Sequence, residues 1–193
     1  DYVKEHYLSK RDKLPVDKVR KTILSDNNWQ DNFTKCLYRP FDIRPLFYHE
    51  AIIERSRKDV MKHFLLEQNI GLISARSNKS IDMDHFFCTR HIMETKCGES
   101  TTQSCLFPLY LCSDIDTNKS QQSLLHLSKT KGNRHSNFSP AFIADMAKRL
   151  IIKFIPDGTG DLKQTFGPED IFHYMYAVVH SPTYRTRYAE FLK

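Results

Sequence analysis

The sequence predicts an α+β fold: a strand-rich centre with a mixed or antiparallel sheet, flanking helices and a helical C-terminal segment. Two observations favour this fold class. Short apolar and aromatic runs, separated by Pro, Gly and Asn, fill residues 35–112 and are typical of short strands. Apolar residues at helical spacing occur before this region, within it and throughout residues 139–193. No internal repeat is visible, so the elements add up to one α+β arrangement.

Two helices are predicted in the first third of the chain. Pro15 opens the first, because proline suits the first turn of a helix, and apolar residues follow at helical spacing over 16–24. The polar run 26–28 ends this helix. A second helix is predicted over 51–67, where apolar residues at helical spacing alternate with arginines and lysines.

Strands are predicted between and after these helices. Residues 35–49 are apolar and aromatic, but Pro40 and Pro45 split them into two short strands or one bent edge strand. Pro108 likewise favours a sheet edge for the last strand, since proline offers no N–H to a neighbouring strand. The three further strand candidates are 70–75, 85–93 and 105–111.

The C-terminal third begins with a long exposed loop, predicted over 113–137 from its Ser, Asn, Gln, Lys and Gly content. A serine cap followed by proline opens a helix over 139–152. After a glycine-containing turn at 157–160, a long helix starts at Pro168 and breaks at 181–182 before a final helix. The side chains of these last helices that we expect to be buried are Phe172, Tyr176, Val179, Tyr184 and Tyr188.

The composition indicates a folded, mildly basic protein. The 193 residues are 40% hydrophobic and 12% aromatic, enough to bury a core, and 29 Lys and Arg against 23 Asp and Glu give a net charge of +6. This balance permits nucleic-acid binding without proving it. No apolar run is long enough to span a membrane. Since the chain starts at Asp1 without a leader, we interpret it as a piece of a larger protein, with 1–14 a linker or the end of a preceding module.

The cysteines and histidines form no familiar disulfide or metal pattern. Five cysteines without a C-x-x-C pair disfavour a disulfide-stapled secreted module, so we expect a reduced, cytoplasmic protein. His85, Cys88, His91 and Cys97 have a loose spacing, whereas zinc sites usually show tight pairs. We therefore predict no metal site, and interpret these residues as buried thiols and hydrogen-bonding imidazoles.

Motifs for catalysis are also missing. The sequence contains no phosphate-cradling glycine loop, no G-x-S-x-G elbow and no [DNS]-P-P-[YFW] tetrapeptide of amino-methylating DNA enzymes. Pro156-Asp157 and Asp161-Leu162-Lys163 imitate a metal-dependent nuclease motif, but both parts fall within one turn. A plain turn is favoured there, and no cofactor or catalytic residue is predicted in this chain.

Two passages of the sequence resemble a known family. Residues 38–44 spell Y-R-P-F-D-I-R with the aromatic pair Phe47-Tyr48 after them, and 170–193 spell D-I-F-H-Y-M-Y-A-V-V-H-S-P-T-Y-R-T-R-Y-A-E-F-L-K. Both resemble the C-terminal target-recognition (specificity) domain of single-polypeptide type ISP and related type IIG-like restriction–modification enzymes. Shorter matches lie between them in the expected order, at 60–65, 69–72 and 107–111, so the resemblance covers roughly 15–193.

The resemblance implies that 15–193 is a sequence-specific DNA-recognition domain, with a strand-rich part at 35–112, a long loop at 113–137 and a helical part at 139–193. Its parent would be a bacterial N6-adenine DNA methyltransferase, often with nuclease and helicase modules. The implied partners are double-stranded DNA and the methyltransferase module of the same polypeptide, with no membrane. S-adenosylmethionine, Mg²⁺ and, with a helicase, ATP would be bound by the parent and not by this chain.

Loop cations are the predicted DNA contacts, because a recognition domain needs base-edge and phosphate contacts but no catalytic group. The candidates from the loops around 76–104 and 113–137 are Arg76, Arg90, Lys96, Lys131 and Arg134. Arg39 and Arg44 belong to a motif that recurs in members with different targets, so they are predicted to be framework residues, with phosphate contact as a second role. Two other functions stay open: a protein-interaction module that docks a methyltransferase without touching DNA, and a catalytic, nuclease-type domain.

Overall fold

The computed structural model describes residues 15–65, 68–75, 86–98, 101–112 and 134–191. These residues form short strands in small sheets with helices around them, so the predicted α+β class is confirmed. Two candidate DNA contacts, Arg76 and Lys131, lie outside the described residues, as do the predicted linker 1–14 and most of the predicted loop 113–137.

The described part of the chain begins with a helix and a β-hairpin. Helix α1 spans Val16–Ser25, as its apolar spacing predicts, and strands β1 (Phe33–Arg39) and β2 (Asp42–Phe47) pair antiparallel. Pro45 lies on β2, which is an edge strand, opposite Lys35 of β1. An edge tolerates the missing N–H of proline, so the two predicted short strands are confirmed.

The segment 51–67, predicted to be one helix, is mostly irregular. Only Lys58–Met61 is α-helical (α2), and a 3-10 turn follows at Lys62–Phe64. The backbone of Arg55 and Arg57 is left-handed, with φ of 57° and 51°, which breaks any helix through them. An irregular segment that lies on a core can also have apolar residues at helical spacing. Ile53 and Val60 are such residues, since both pack against the main core.

A second sheet forms around strand β3 (Gly71–Ala75). It pairs antiparallel with β4 (Phe87–Thr89) on one side and β6 (Ser104–Pro108) on the other, so Pro108 ends an edge strand as expected. The predicted strand 85–93 is divided, because β5 (Ile92–Met93) leaves this sheet and pairs parallel with β1. Strand β5 thus connects the hairpin sheet to the second sheet.

The C-terminal third is helical with short strand pairs. Helices α3 (Pro140–Leu150), α4 (Pro168–His180) and α5 (Pro182–Arg187) start at the predicted prolines. Strand β7 (Tyr110–Cys112) pairs with β8 (Arg134–Ser136), which lies in the stretch predicted as loop. Two further strands, β9 (Lys153–Phe154) and β10 (Thr165–Phe166), pair parallel across a turn. Strands of two or three residues are too short to show a period in the sequence.

One main core lies between the hairpin, α2 and the inner face of the second sheet, with Ile73 and Phe64 almost completely buried. Helix α4 belongs to a second cluster, in which Phe172 packs with Leu109 and Tyr110. The Phe172 and Tyr176 rings stack at 6.5 Å, and Nε2 of His180 lies 3.0 Å from the backbone oxygen of Phe86. One face of α4 is therefore held against the strand-rich part.

Burial along the last helices is more graded than predicted. Phe172 is buried, but Tyr176, Val179 and Tyr184 are half-buried and Tyr188 is 39% exposed. Tyr184 and Tyr188 pack on each other, with ring centroids 4.8 Å apart, rather than in the core. Among the described helices, none is long and apolar enough to cross a membrane.

Candidate nucleic-acid interface

The motif at 38–44 builds a stack of three side chains. The guanidinium carbons of Arg39 and Arg44 each lie 4.1 Å from the centroid of the Tyr38 ring. Arg39 is also ion-paired with Glu94, Nη1 to Oε2 2.6 Å, and Arg44 with Asp42, Nη2 to Oδ2 2.7 Å. Each cation therefore has intramolecular partners, which is what a framework residue needs.

These arginines remain accessible as well. Their side chains are 38% and 58% exposed for Arg39 and Arg44 respectively. The hydrogen bond from Arg44 lowers the pKa of the Asp42 carboxyl, and the same bond raises the pKa of Arg44. A guanidinium has five N–H donors, so an ion-paired arginine can still bind a phosphate oxygen. The predicted framework role and the phosphate contact are thus compatible in one geometry.

The hairpin tip presents an aromatic side chain to solvent. Phe41 is 93% exposed, its φ is 64°, and its ring meets the edge of Phe87 at 6.4 Å between centroids. A bulky residue in this backbone region is uncommon. The tip follows from the turn between Arg39 and Asp42, which are opposite each other in the hairpin register.

Beside the hairpin lies a groove with a volume of 440 Å³. Its floor is apolar and includes Cys36, Met61 and Met93, while Arg55 and Arg57 reach its lining from the irregular segment before α2. Burial raises the pKa of the Cys36 thiol to about 11, so this thiol is protonated and unreactive at neutral pH. The helix predicted for both arginines is not formed, and they line the groove from a segment whose backbone is left-handed at both positions.

Arg134, a predicted DNA contact, is half-buried and held by intramolecular contacts. Its guanidinium carbon lies 3.9 Å from the centroid of the Tyr110 ring, and Nη2 lies 2.5 Å from Oδ1 of Asp157. Nη1 donates to the backbone oxygen of Gln68. The Arg134 side chain is only 21% exposed and both of its terminal nitrogens already have partners, so it is less available for a bidentate base contact.

Polar groups that the sequence analysis did not single out lie beside Arg134 and fix its partner Tyr110. The Tyr110 hydroxyl accepts from Gly158 N at 2.9 Å, and burial raises its pKa to about 12. Asn69, which is 2% exposed, donates to the backbone oxygens of His63 and Tyr110 at 3.0 and 2.7 Å. A single buried Asn has no sequence signature, because its partners lie at distant positions.

Arg90 and Lys96 are placed differently from Arg134. Both are exposed, and they lie in the two turns that flank β5. Neither side chain is ion-paired within the part of the chain that the structure describes. They are therefore the described candidates whose charge is free for a ligand.

Intramolecular partners occupy both carboxylates of the nuclease-like motif. Asp157 pairs with Arg134, and Oδ1 of Asp161 accepts from the backbone N–H groups of Lys163, Gln164 and Thr165 at 3.0, 2.9 and 2.9 Å. These bonds lower the pKa of Asp161 to about 2. No three His, Cys, Asp or Glu side chains form a metal-binding group within the described ranges. The pair therefore has the geometry of a plain turn.

A family model described as the type ISP C-terminal specificity domain matches residues 4–193. This chain belongs to that family. The resemblance found in the two sequence passages is thereby confirmed, and the specificity domain extends over nearly the whole chain. Among the curated proteins, none matches this specificity domain.

A solved structure is also similar to the specificity domain. It is the cryo-EM structure of a DrdV–DNA complex, with a TM-score of 0.55 and 20% sequence identity. The match covers 83% of this specificity domain and 13% of the DrdV chain. At this identity the similarity establishes a common fold, and the specificity domain spans a small fraction of that longer chain.

Proposed function

We propose that this specificity domain recognises a DNA sequence on behalf of a larger bacterial restriction–modification protein that methylates adenine N6 and, with a nuclease module, cleaves DNA. The observation that carries the proposal is the family match over 4–193. The fold shared with a chain solved in a DNA complex supports it. The partners are double-stranded DNA and the methyltransferase module of the same polypeptide, in the cytoplasm. That module and its neighbours bind S-adenosylmethionine, Mg²⁺ and, with a helicase, ATP.

Exposed loop cations carry the DNA contacts in this proposal. Arg90 and Lys96 are supported by their exposure and their lack of an ionic partner among the described residues. Arg76 and Lys131 remain candidates from the sequence alone. Arg134 is less suited than Arg90 and Lys96, since its guanidinium is held by Asp157 and Tyr110. Arg39 and Arg44 serve as framework and contact phosphate with their remaining N–H groups.

The test uses the intact restriction–modification protein and the sites that it methylates. Arg90→Ala or Lys96→Ala removes one free charge, and sequencing of methylated DNA reports the recognised site. A lost guanine contact costs about 1–3 kcal/mol at one base position and relaxes the methylated site there. A lost phosphate contact weakens all sequences alike and lowers the salt slope by about one unit.

Arg149→Ala is the matched control. Arg149 is also an exposed cation, but it pairs with Asp145 within α3, so its loss leaves the methylated site unchanged. If Arg90→Ala and Lys96→Ala both methylate the parental site at the parental rate and salt dependence, these two residues do not contact DNA. If Arg76→Ala, Lys131→Ala and Arg134→Ala give the same result, the loop cations do not read the DNA site: the DNA-reading face lies elsewhere on this domain, or the domain does not read DNA.

A protein-interaction module is the second candidate, and one observation favours it. The C-terminal helices expose large apolar side chains, with Tyr174 69% and Phe191 86% exposed. Surface of this kind suits contact with another module. If the loop variants keep the parental site while Tyr174→Ala and Phe191→Ala release the domain from the methyltransferase, docking without DNA contact is the better function. The nuclease alternative gains no support, because Asp157 is paired with Arg134 and Asp161 accepts backbone N–H bonds within its turn.

A further inference from the structure

The groove beside the hairpin combines an apolar floor with a cationic rim. Met61, Ile92 and Met93 contribute to the floor, and the cations along the groove are Arg44, Arg55 and Arg57. Its volume of 440 Å³ is large enough for a phosphate together with its attached sugar. The described lining also includes hydroxyl side chains, but the three guanidinium groups are its only cationic donors.

The charges along the groove do not cancel. Glu94 is occupied by Arg39 at 2.6 Å. Glu54 is 91% exposed and lies 4.0 Å from Arg55, so it screens that arginine only weakly. The side chain of Arg57 makes no ion pair or hydrogen bond with any residue that the structure describes. The groove therefore has a net positive rim and at least one unpaired guanidinium.

The backbone that carries these arginines is held in an unfavourable form. Arg55 and Arg57 both have left-handed φ, 57° and 51°, a region in which glycine is the favoured residue. The loop is fixed between them, because the Tyr48 hydroxyl donates to the backbone oxygen of Ser56 at 2.5 Å. Just after the loop, Lys58 pairs with Glu50 at 2.9 Å. Arginine at these positions costs stability that glycine would not cost, and neither arginine returns a strong intramolecular contact.

We propose that this groove binds a phosphodiester of a DNA strand, with Arg55 and Arg57 on the phosphate oxygens and the sugar against the apolar floor. Guanidinium groups bind phosphate through pairs of N–H donors, which explains why the two positions are arginine rather than glycine. Backbone phosphate contacts orient a protein on DNA without specifying the base. The inference rests on the proposed function and adds to it a fixed, sequence-independent contact separate from the loop cations.

The test separates binding from folding. Arg57→Gly removes the guanidinium and relieves the left-handed backbone, and Arg55→Gly does the same at the other position. Arg20→Ala, an exposed arginine of α1 outside the groove, is the control for loss of one charge. Each protein carries ¹³C-methyl methionine and is titrated with a 12-base-pair duplex of arbitrary sequence at low salt. Methyl NMR then reports on Met61 and Met93 in the groove, with Met146 of α3 as the reference.

We expect the duplex to shift the Met61 and Met93 signals in the parental protein and in Arg20→Ala. Arg57→Gly melts at the parental temperature or above it, no longer shows these shifts, and has a salt slope of duplex binding lower by about one unit. Two results overturn the inference. In the first, the duplex shifts the Met61 and Met93 signals of Arg57→Gly and Arg55→Gly as much as it shifts those of the parental protein. In the second, both variants melt at a lower temperature than the parental protein, which would make the arginines structural.

Fluorescence anisotropy on the same samples distinguishes this inference from the proposed function. If the duplex binds while the methyl signals of Met61 and Met93 do not shift, the groove does not hold a phosphodiester and DNA recognition stands. If the duplex does not bind at all, both are rejected for this domain. A loss confined to one target sequence would show a base contact in place of a phosphate contact and would also overturn the inference.

Discussion

The guanidinium of Arg134 lies flat against Tyr110, 3.9 Å from the ring centroid, and its Nη2 is 2.5 Å from the Asp157 carboxylate. These three residues come from β8, β7 and the turn between β9 and β10. The Tyr110 hydroxyl continues the connection by accepting from Gly158. The arrangement therefore joins the strand-rich part to the turn that precedes α4. These contacts hold the turn in place on the strands.

The Arg134–Asp157 pair is expected to stabilise the fold. Arg134→Ala loses the ion pair and the contact with Tyr110, which together cost about 1–2 kcal/mol. A double-mutant cycle with Asp157→Ala, followed by urea unfolding, should give a coupling energy of about 0.5–1 kcal/mol. The exposed pair Arg149–Asp145 is the control and should couple by less. Parental stability in Arg134→Ala would mean that this arginine is a surface residue in solution.

We expect one face of helix α4 to contribute most of the stability that this helix adds to the fold. Phe172→Ala removes a ring that is 5% exposed and should cost about 3–5 kcal/mol in the free energy of unfolding. Tyr174→Ala, two residues along the same helix, removes a ring that is 69% exposed and should change stability by less than about 0.5 kcal/mol. Thermal melts of the two variants measure the difference. Equal effects would contradict the burial of Phe172 and the exposure of Tyr174.

The turn at Asp161 should respond to acid. Its carboxylate accepts three backbone N–H bonds, which lower its pKa from 3.8 to about 2. A carboxyl whose pKa is lower in the folded state contributes stability that is present above pH 4 and is lost as the pH falls toward 2. Asp161→Ala should therefore melt below the parental protein at pH 7, and this difference should shrink between pH 4 and pH 2. A difference that stays constant with pH would reject the carboxylate as its cause.

The end of α3 offers a stabilising substitution. Ile151 caps this helix with φ of 58°, and its side chain is 88% exposed, so it bears left-handed strain without a compensating contact. Ile151→Gly should raise the free energy of unfolding by about 1 kcal/mol, because glycine adopts this region freely. Leu150→Gly, one residue earlier in right-handed helix, should lower it by about 0.5–1 kcal/mol. Chemical denaturation of both variants tests whether the backbone angle decides the sign.

Much of the fold could be predicted because its signals are local. Helices α1, α3 and α4 are marked by a proline at the start and by apolar spacing, and the energies of caps and amphipathic faces involve residues a few positions apart. The edge positions of Pro45 and Pro108 follow from a missing N–H. The segment before α2 was mispredicted, since its path depends on the Tyr48–Ser56 hydrogen bond and not on spacing.

In the candidate interface, too, some features could be predicted from the sequence and others could not. The sequence determined the family, through the passages at 38–44 and 170–193, and it identified the cations that a DNA-recognition domain would need. Tertiary structure alone decided which cations are available: Arg134 is engaged by Tyr110 and Asp157, Arg90 is exposed, and Arg57 lines a groove. The physical reason is that the state of a charged side chain depends on its solvent exposure and its nearest counter-charge. Folding brings those partners from distant positions, so no local pattern encodes them.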